Sequence, residues 1–397
     1  MTYTNRVSSL KKSGGTFAVV RDLGLANIVY NDYSDFGMVW LPLPTSLNIQ
    51  ANSYIQDNST LNDNTWEGLT EIKDNELVSV SWIGETVVKQ RVPLVVDSKI
   101  EIIKKDLEIG IAEIDKEQWK YAFTLTNRQV LQAAYEVAKS ESNSKAYRKR
   151  EYRPNQEIQV FDDEAVGVSR VKILATRKSV DSDFGNLAYS IPPEILGAIL
   201  GIWGKSKSMT LIILEATIQG QQFTKAVLND YANHEVALYA IWNDFNPALR
   251  RDSGQFVRIY GEKSPFAVGE ISPSLWKDVV KGVALVKKGS KGSPYIIFQD
   301  KKVMIKAFDT HPSAAPEISF DNPNWTLNGK LVLDSKEFLV KGVEGVVKAY
   351  SNTKFNKRVE ELHKEDENED FTVASFWEFQ VGGKDMEFVI MPIKLGR

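Results

Sequence analysis

The chain has 397 residues, 43% hydrophobic and 25% charged, the composition of a folded protein with room for two or three domains. It contains no cysteine, which excludes disulfides, thiol nucleophiles and thiolate metal sites, and its three histidines, His234, His311 and His363, stand in no metal-ligand spacing such as H-E-x-x-H. Lys and Arg number 49 against 52 Asp and Glu, a net charge of −3, which does not exclude nucleic acid because phosphates respond to the local field and not to the mean.

The opening MTYTNRVSSLKKSGG has no apolar core of signal-peptide length, and no stretch reaches the roughly 18 apolar residues of a membrane span. The expectation is a cytoplasmic protein without a membrane partner. Residues 1–117 are strand-rich at TFAVVRD, ANIVYND, FGMVWLP, ELVSVSWI and TVVKQRVPLVV, while NRVSSLKK is at most a short helix and LNIQANSYIQ is ambiguous. Thr4-Asn5-Arg6 echoes Thr126-Asn127-Arg128.

From residue 118 a unit recurs: a short strand, a helix, then several strands with polar turns. The first copy is FTLTNRQVLQAAYEVAKS, with Thr126 and Gln129 as a capping box and Val130, Ala134, Val137 and Ala138 on one apolar face, followed by EIQVF and SRVKILAT. The second is AYSIPPEILGAILGIWG, whose Pro192 and Pro193 suit a first helical turn, followed by MTLIILEATI, QQFTKAVL and EVALYAIW. The third is VGEISPSLWKDVVKGVALVKK, with Ser272 as N-cap and Pro273 at the first position, then SPYIIFQD and KKVMIKAF. The fourth is KLVLDSKEFLVKGVEGVVKAY, with Asp334 and Glu337 as a capping box, then FTVASFWEFQV and MEFVIMPIKL.

Two such units make one α+β domain with a shared sheet and two helices. The divisions fall at 1–117, 118–250 and 251–397, with NDFNPALRRDSGQ as the connecting loop and Asn58–Thr65 and VEELHKEDENED as solvated insertions.

The ending Phe388-Val389-Ile390-Met391-Pro392-Ile393-Lys394-Leu395 resembles the C-terminal strand of the bacterial DNA sliding clamp, the beta subunit of the replicative DNA polymerase. KLVLDSKEFLVKGVEGV is similar to that family's entry into its last half-domain, and Ile173-Leu174-Ala175-Thr176 to the start of its Ala-Thr-Asp-Gly loop, although Arg177-Lys178-Ser179 follows here.

The resemblance implies tandem DNA-clamp domains, each of two β-α-β-β-β units, assembling into a ring around double-stranded DNA without sequence preference. It also implies a DNA polymerase and a clamp loader as partners, and no cofactor. Three domains per chain give a homodimeric ring; if residues 1–117 are not clamp-like, two give a trimeric one. Departure from the family pattern points to a phage or mobile-element source.

In such a ring the helices line the hole, so their non-core faces should be basic. Lys277, Lys281 and Lys288 lie near one face of the third helix, and Lys341 and Lys348, seven apart, share a face of the fourth. Arg128 and Lys139 add charge to the first helix, and Lys205 and Lys207 follow the second. By the same resemblance Val389, Met391, Pro392 and Ile393, with Thr176 opposite, border a hydrophobic groove for linear peptide motifs, although Val389 equally suits a core position.

No Walker A loop, no G-x-G-x-x-G after a strand and no G-x-S-x-G occurs, and Asp162-Asp163-Glu164 reads as an acidic turn before it reads as a metal site, so catalysis is not expected. Two readings compete with the clamp: a β-rich virion or tail-like structural protein, and an open, non-ring polymerase accessory factor.

Overall fold

The computed structural model describes residues 6, 10, 16–20, 24–31, 36–42, 53–55, 70–73, 76–83, 85–95, 119–142, 158–161, 164–168, 172–176, 189–218, 220–243, 263–290, 293–307, 316–327, 330–352 and 374–390. The first segment supplies β1 (Thr16–Val20), β2 (Gly24–Asn31), β3 (Phe36–Leu41), β4 (Ser53–Ile55), β5 (Thr70–Lys73), β6 (Glu76–Ile83) and β7 (Thr86–Val95). The four repeats then follow in order. β8 (Lys120–Leu125), α1 (Arg128–Ser142), β9 (Ile158–Phe161), β10 (Glu164–Val168) and β11 (Lys172–Thr176) form the first. β12 (Tyr189–Ile191), α2 (Pro193–Trp203), β13 (Met209–Ile218), β14 (Gln221–Asp230) and β15 (Glu235–Asn243) form the second. The third comprises β16 (Lys263–Ile271), α3 (Pro273–Lys288), β17 (Tyr295–Gln299), β18 (Lys302–Lys306) and β19 (Glu317–Asp321). The fourth comprises β20 (Leu331–Asp334), α4 (Ser335–Phe338), β21 (Val347–Asn352), β22 (Ala374–Val381) and β23 (Lys384–Ile390).

The chain divides into two compact units, Met1–Arg128 with Ile191–Leu249, and Gln129–Ser190 with Arg250–Arg397. The first holds one 11-stranded sheet in the order β5, β6, β7, β4, β1, β2, β3, β15, β14, β13, β8. The second holds an eight-stranded sheet, β12, β9, β10, β11, β23, β22, β21, β16, and a four-stranded sheet, β19, β18, β17, β20.

This topology corrects the expectation of one shared sheet per pair of repeats. Paired repeats instead build two sheets and exchange their first strands. β16 leaves its own repeat to pair with β21, while β20 pairs with β17 of the repeat before it. β8 likewise pairs with β13, and β12 lies beside β9. A first strand that crosses to the companion sheet makes each repeat depend on the other for a complete ladder.

The hairpins follow from their turn residues. Asp300 and Lys301 both take positive φ, 50° and 59°, in the two-residue loop between Gln299 and Lys302, and Gly382 and Gly383 do the same at 58° and 75° between β22 and β23. Left-handed pairs of this kind match the twist of the flanking strands. His234, at φ 52°, is exposed in the turn before β15.

Helix starts match the sequence where the caps are strong. Ser272 accepts the Leu275 N–H at 3.2 Å with Pro273 at the first position of α3, and Pro192 and Pro193 open α2. α1 begins at Arg128, whose N–H meets the Thr126 carbonyl at 3.2 Å.

The fourth helix is the main correction. The dozen-residue helix expected in SKEFLVKGVEGVV is reduced to Ser335–Phe338, with Asp334 accepting the Lys336 N–H at 2.8 Å. Leu339 turns extended (φ −68°, ψ 119°), Gly342 adopts φ 77°, and Val343 bridges to Val381. The buried Trp276 indole also donates to the Val340 carbonyl at 3.2 Å, taking an acceptor that a continuing helix would need. Two glycines and a run of β-branched valines make the helical alternative weak.

The core of the third and fourth repeats is aromatic. Phe338 packs on Trp377 at 4.5 Å between ring centres and on Trp276 at 5.4 Å, and Phe298 stacks on Trp325 at 4.5 Å. Gly269 lies so close to Trp325 that a Cβ there would fall 2.2 Å from the indole, so only glycine lets β16 pass.

Candidate nucleic-acid and partner interfaces

α3 offers the clearest basic face. It buries Trp276, Val279, Gly282, Val283 and Val286 against its sheet, an i, i+3, i+7, i+10 pattern, and leaves Lys277, Lys281, Lys287 and Lys288 exposed. A Cβ at Gly282 would fall 2.5 Å from Ile305 Cδ1, so this glycine lets the helix settle against the sheet. Lys281 lies 3.6 Å from Asp278, but both side chains are more than half exposed and such a pair is worth little in water.

The other expected cations separate into groups. Lys205 and Lys207 are exposed in the turn after α2. Arg128 is half-buried and gives a guanidinium hydrogen bond to the Leu200 carbonyl at 3.1 Å, near the C-terminal end of α2. The same carbonyl also accepts the Gly204 N–H at 3.1 Å, so the guanidinium adds a second donor at the end of α2. Lys139 lies on α1, with its side chain outside the described residues. The shared helical face assigned to Lys341 and Lys348 is overturned: Lys341 is exposed in the loop after α4, and Lys348 is on β21, 4.0 Å from Glu270.

On the partner side, the backbone brings the Ile173–Thr176 segment and the last described strand together. Lys172 to Thr176 run antiparallel to Ile390 to Met386, with Thr176 opposite Met386. The Thr176 side chain and Met391, Pro392 and Ile393 lie outside the described residues. Val389 is only 1% exposed, between Ile173 on β11 and Phe376 on β22. Its role as a groove-lining contact is therefore corrected to a core position in this sheet.

A charged cluster that sequence reasoning missed lies in the same sheet. Glu378 and Glu387 are direct cross-strand neighbours, and Lys263 Nζ reaches both, at 2.6 and 2.8 Å. The Tyr350 hydroxyl donates to Glu378 at 2.7 Å, and the Lys263 ammonium sits 4.9 Å from the Tyr350 ring centre. Burial works against the Lys263 charge, but its hydrogen bonds to and attraction by the two glutamates prevail and raise its pKa above the ordinary lysine value. Residues 115 and 124 positions away supply these partners, and no local spacing signals them.

The first unit holds a second such feature. Arg6 is helical, 6% exposed, and bonds Glu235 while lying 4.0 Å from Asp230. Burial alone would raise the Asp230 pKa; hydrogen bonds from Asn233, Ser208 and the backbone of the turn outweigh it and lower the value. The Thr-Asn-Arg echo thus marks two arginines placed at helices, each committed to a protein acceptor.

Among the described residues no cluster of His, Asp or Glu is arranged to hold a metal, and no helix is long and apolar enough to cross a membrane. No family model matches the chain, and no curated protein does. Solved structures do match, along nearly its whole length. The DNA polymerase III beta subunit of Borrelia burgdorferi, in complex with a natural product, superposes with a TM-score of 0.57 at 11% identity, covering 99% of this chain and 97% of that one. The Thermotoga maritima beta subunit gives 0.52 at 10% identity, and the Helicobacter pylori beta clamp in complex with carprofen 0.52 at 12%, each covering 99% of this chain and 97% of the other. Strand-exchanged repeats, sheets continuous from one pair of repeats to the next, and this full-length superposition together establish that the chain has the sliding-clamp fold of the DNA polymerase III beta subunits.

Proposed function

We propose that the chain is a DNA sliding clamp, a non-catalytic processivity factor that acts in the cytoplasm as a ring of two copies around duplex DNA and tethers a polymerase. The observation that carries the reading is the exposed lysine face of α3 on a fold shared with polymerase beta subunits. Phosphate attraction from Lys277, Lys281, Lys287 and Lys288, joined by Lys205 and Lys207, needs no base recognition and leaves the protein able to slide. Topological closure then supplies retention that such loose contacts do not. Three pairs of repeats per chain, 1–117, 118–250 and 251–397, give six around a dimeric ring. By this reading Met391, Pro392 and Ile393, which follow β23 in the sequence, border the partner groove together with Thr176, and a clamp loader opens the ring onto DNA.

Retention on nicked circular DNA, compared with the same DNA linearised, tests this directly. A clamp loaded by a clamp loader stays on the circle and is lost from the linear molecule within minutes. Equal retention on both marks an open DNA-binding factor, and absence of binding at low salt marks a structural protein.

A further inference from the structure

Two turns at one end of the ladder formed by β13, β14 and β15 are fused into a single knob. The first, Lys205 to Ser208, follows α2, and the second, Tyr231 to His234, joins β14 to β15. Met209 pairs with Asp230, so the ladder brings the turns side by side, and the Tyr231 N–H bonds the Ser208 carbonyl at 3.3 Å.

The buried Asp230 carboxylate ties them together. It accepts the Ser208 hydroxyl at 3.1 Å and the Asn233 side-chain amide at 2.7 Å, and the Ser206 and Ser208 hydroxyls share a hydrogen bond at 2.9 Å. The Asn233 N–H donates to the Asp230 carbonyl at 3.2 Å, and His234 follows at φ 52°. These bonds engage the polar groups beneath the surface and fix both turns. The knob presents Lys205, Lys207, Tyr231 and His234 to solvent.

Its electrostatics favour an anion. The two acids that flank the second turn are engaged from behind: Glu235 bonds the Arg6 guanidinium, which also lies 4.0 Å from Asp230. Lys205 and Lys207 make no ion pair among the described residues. Tyr231 is 56% exposed, and its hydroxyl has no partner among those residues.

An exposed ring beside unpaired lysines is the combination that binds single-stranded nucleic acid: bases stack on the ring while cations meet the phosphates, and no base is read. A duplex offers the phosphates but keeps its base faces covered, so it engages the lysines and leaves the ring idle. We propose that this knob is a contact site for single-stranded DNA, with Tyr231 stacking on an unpaired base and Lys205 and Lys207 meeting the flanking phosphates. The inference rests on the reading of the chain as a clamp on duplex DNA, and adds the strand that continues where the duplex ends. His234 offers a second ring on the same turn. Because both turns are already fixed, little of the backbone has to be ordered on binding.

The test uses the full-length chain at low salt with two fluorescent probes, an oligothymidylate and a duplex, each about 20 nucleotides long so that one such site is amply spanned. Y231A should weaken oligothymidylate binding on the order of 10-fold and leave duplex binding within about twofold of wild type. Y231F keeps the ring and should bind both probes as wild type does. K205E/K207E should weaken both, and should lower the slope of log affinity against log salt for the single strand by about 1.4, roughly 0.7 for each lost contact. All substituted side chains are exposed, so melting temperatures should stay close to wild type. An oligonucleotide carrying 5-iodouracil, irradiated on the unmodified protein, should crosslink to the peptide that holds Tyr231 and His234, a readout that needs no substitution.

Unchanged single-strand binding by Y231A overturns the proposal, as does an equal loss of duplex binding or a loss in Y231F as large as in Y231A. Crosslinks confined to other peptides do the same. A Y231A protein that binds both probes normally but loses affinity for a polymerase assigns the knob to a protein partner instead. Each of these results leaves the clamp reading standing if the wild-type protein is still retained on nicked circles. A wild-type protein that binds neither probe and leaves circles as fast as linear DNA removes both readings.

Discussion

The third and fourth repeats share a plan and differ in their helices. α3 runs for 16 residues and α4 for four, although both segments are rich in valine and contain glycine. Propensity alone does not separate them. α3 has a Ser-Pro start, and its single interior glycine sits where a Cβ would strike Ile305. The counterpart segment has Gly342 and Gly345 three apart, and its Val340 carbonyl is taken by Trp276. The lesson is that tertiary partners decide between helix and loop once local preferences are nearly balanced. One repeat keeps a lysine-bearing helix; the other gives up its helix and holds Phe338 in the aromatic core.

The largest expected effect tests that last statement. Phe338→Ala removes a fully buried ring that touches Trp276, Trp377, Phe298 and Phe388, and should cost about 3–5 kcal/mol in denaturant unfolding. Loss below 1 kcal/mol would mean that the short α4 does not anchor its repeat.

The exchanged strand supplies the next. Lys263 enters from the third repeat and neutralises Glu378 and Glu387 of the fourth, which otherwise face each other across the ladder. Lys263→Met should destabilise by about 3 kcal/mol, because breaking a buried pair leaves uncompensated charge. Adding Glu378→Gln and Glu387→Gln should restore part of it. The Lys263 pKa is raised in the folded chain, so its contribution is fully present below the ordinary lysine pKa and is lost as pH rises through the higher folded value. The wild-type protein should therefore show a loss of stability on the alkaline side that K263M lacks.

Much of this architecture was legible in the sequence, and the exceptions have physical causes. Strands with clean apolar patterning, such as TFAVV and FGMVWL, and helices with strong caps, such as α3, stand where periodicity and capping put them. The short β5 and β10 carry too few residues for a period to emerge. The strand exchange was hidden because a strand's own sequence does not state which sheet it joins. Val389 illustrates the limit at the partner site: alternation marks it as half-buried, and only the flanking Ile173 and Phe376 reveal that both of its sides are covered. Lys341 and Lys348 were misplaced by one cause, the helix that Gly342 and the Trp276 bond dissolve.

The lysines of the two repeats can be compared directly on DNA. K277E/K281E should weaken equilibrium DNA binding several-fold and reduce the slope of log affinity against log salt by about 2, roughly one for each lost phosphate contact. K341E/K348E, changing a loop residue and a strand residue near Glu270, should leave the slope within about 0.5 of wild type. Equal losses in both variants would place the DNA path along both repeats and not along α3.

The smallest expected effect concerns the caps at which the two helices begin. Ser272 accepts the Leu275 N–H and opens 16 residues of helix; Asp334 accepts the Lys336 N–H and opens four. A lost N-cap leaves one backbone donor to water and typically costs about 1 kcal/mol. For Ser272→Ala that full amount is expected, because unwinding the first turn of α3 also loosens Leu275 and Trp276 at the edge of the aromatic core. For Asp334→Ala the cost should be about 0.5 kcal/mol or less, since Asp334 also lies in β20 opposite Tyr295 and the Leu339 N–H bonds Ser335 without it. Denaturant midpoints resolve the difference if the unfolding slope stays constant. Should the two substitutions cost the same, the four-residue α4 depends on its cap as much as the long helix does, and the difference between the repeats then lies in how the helices end.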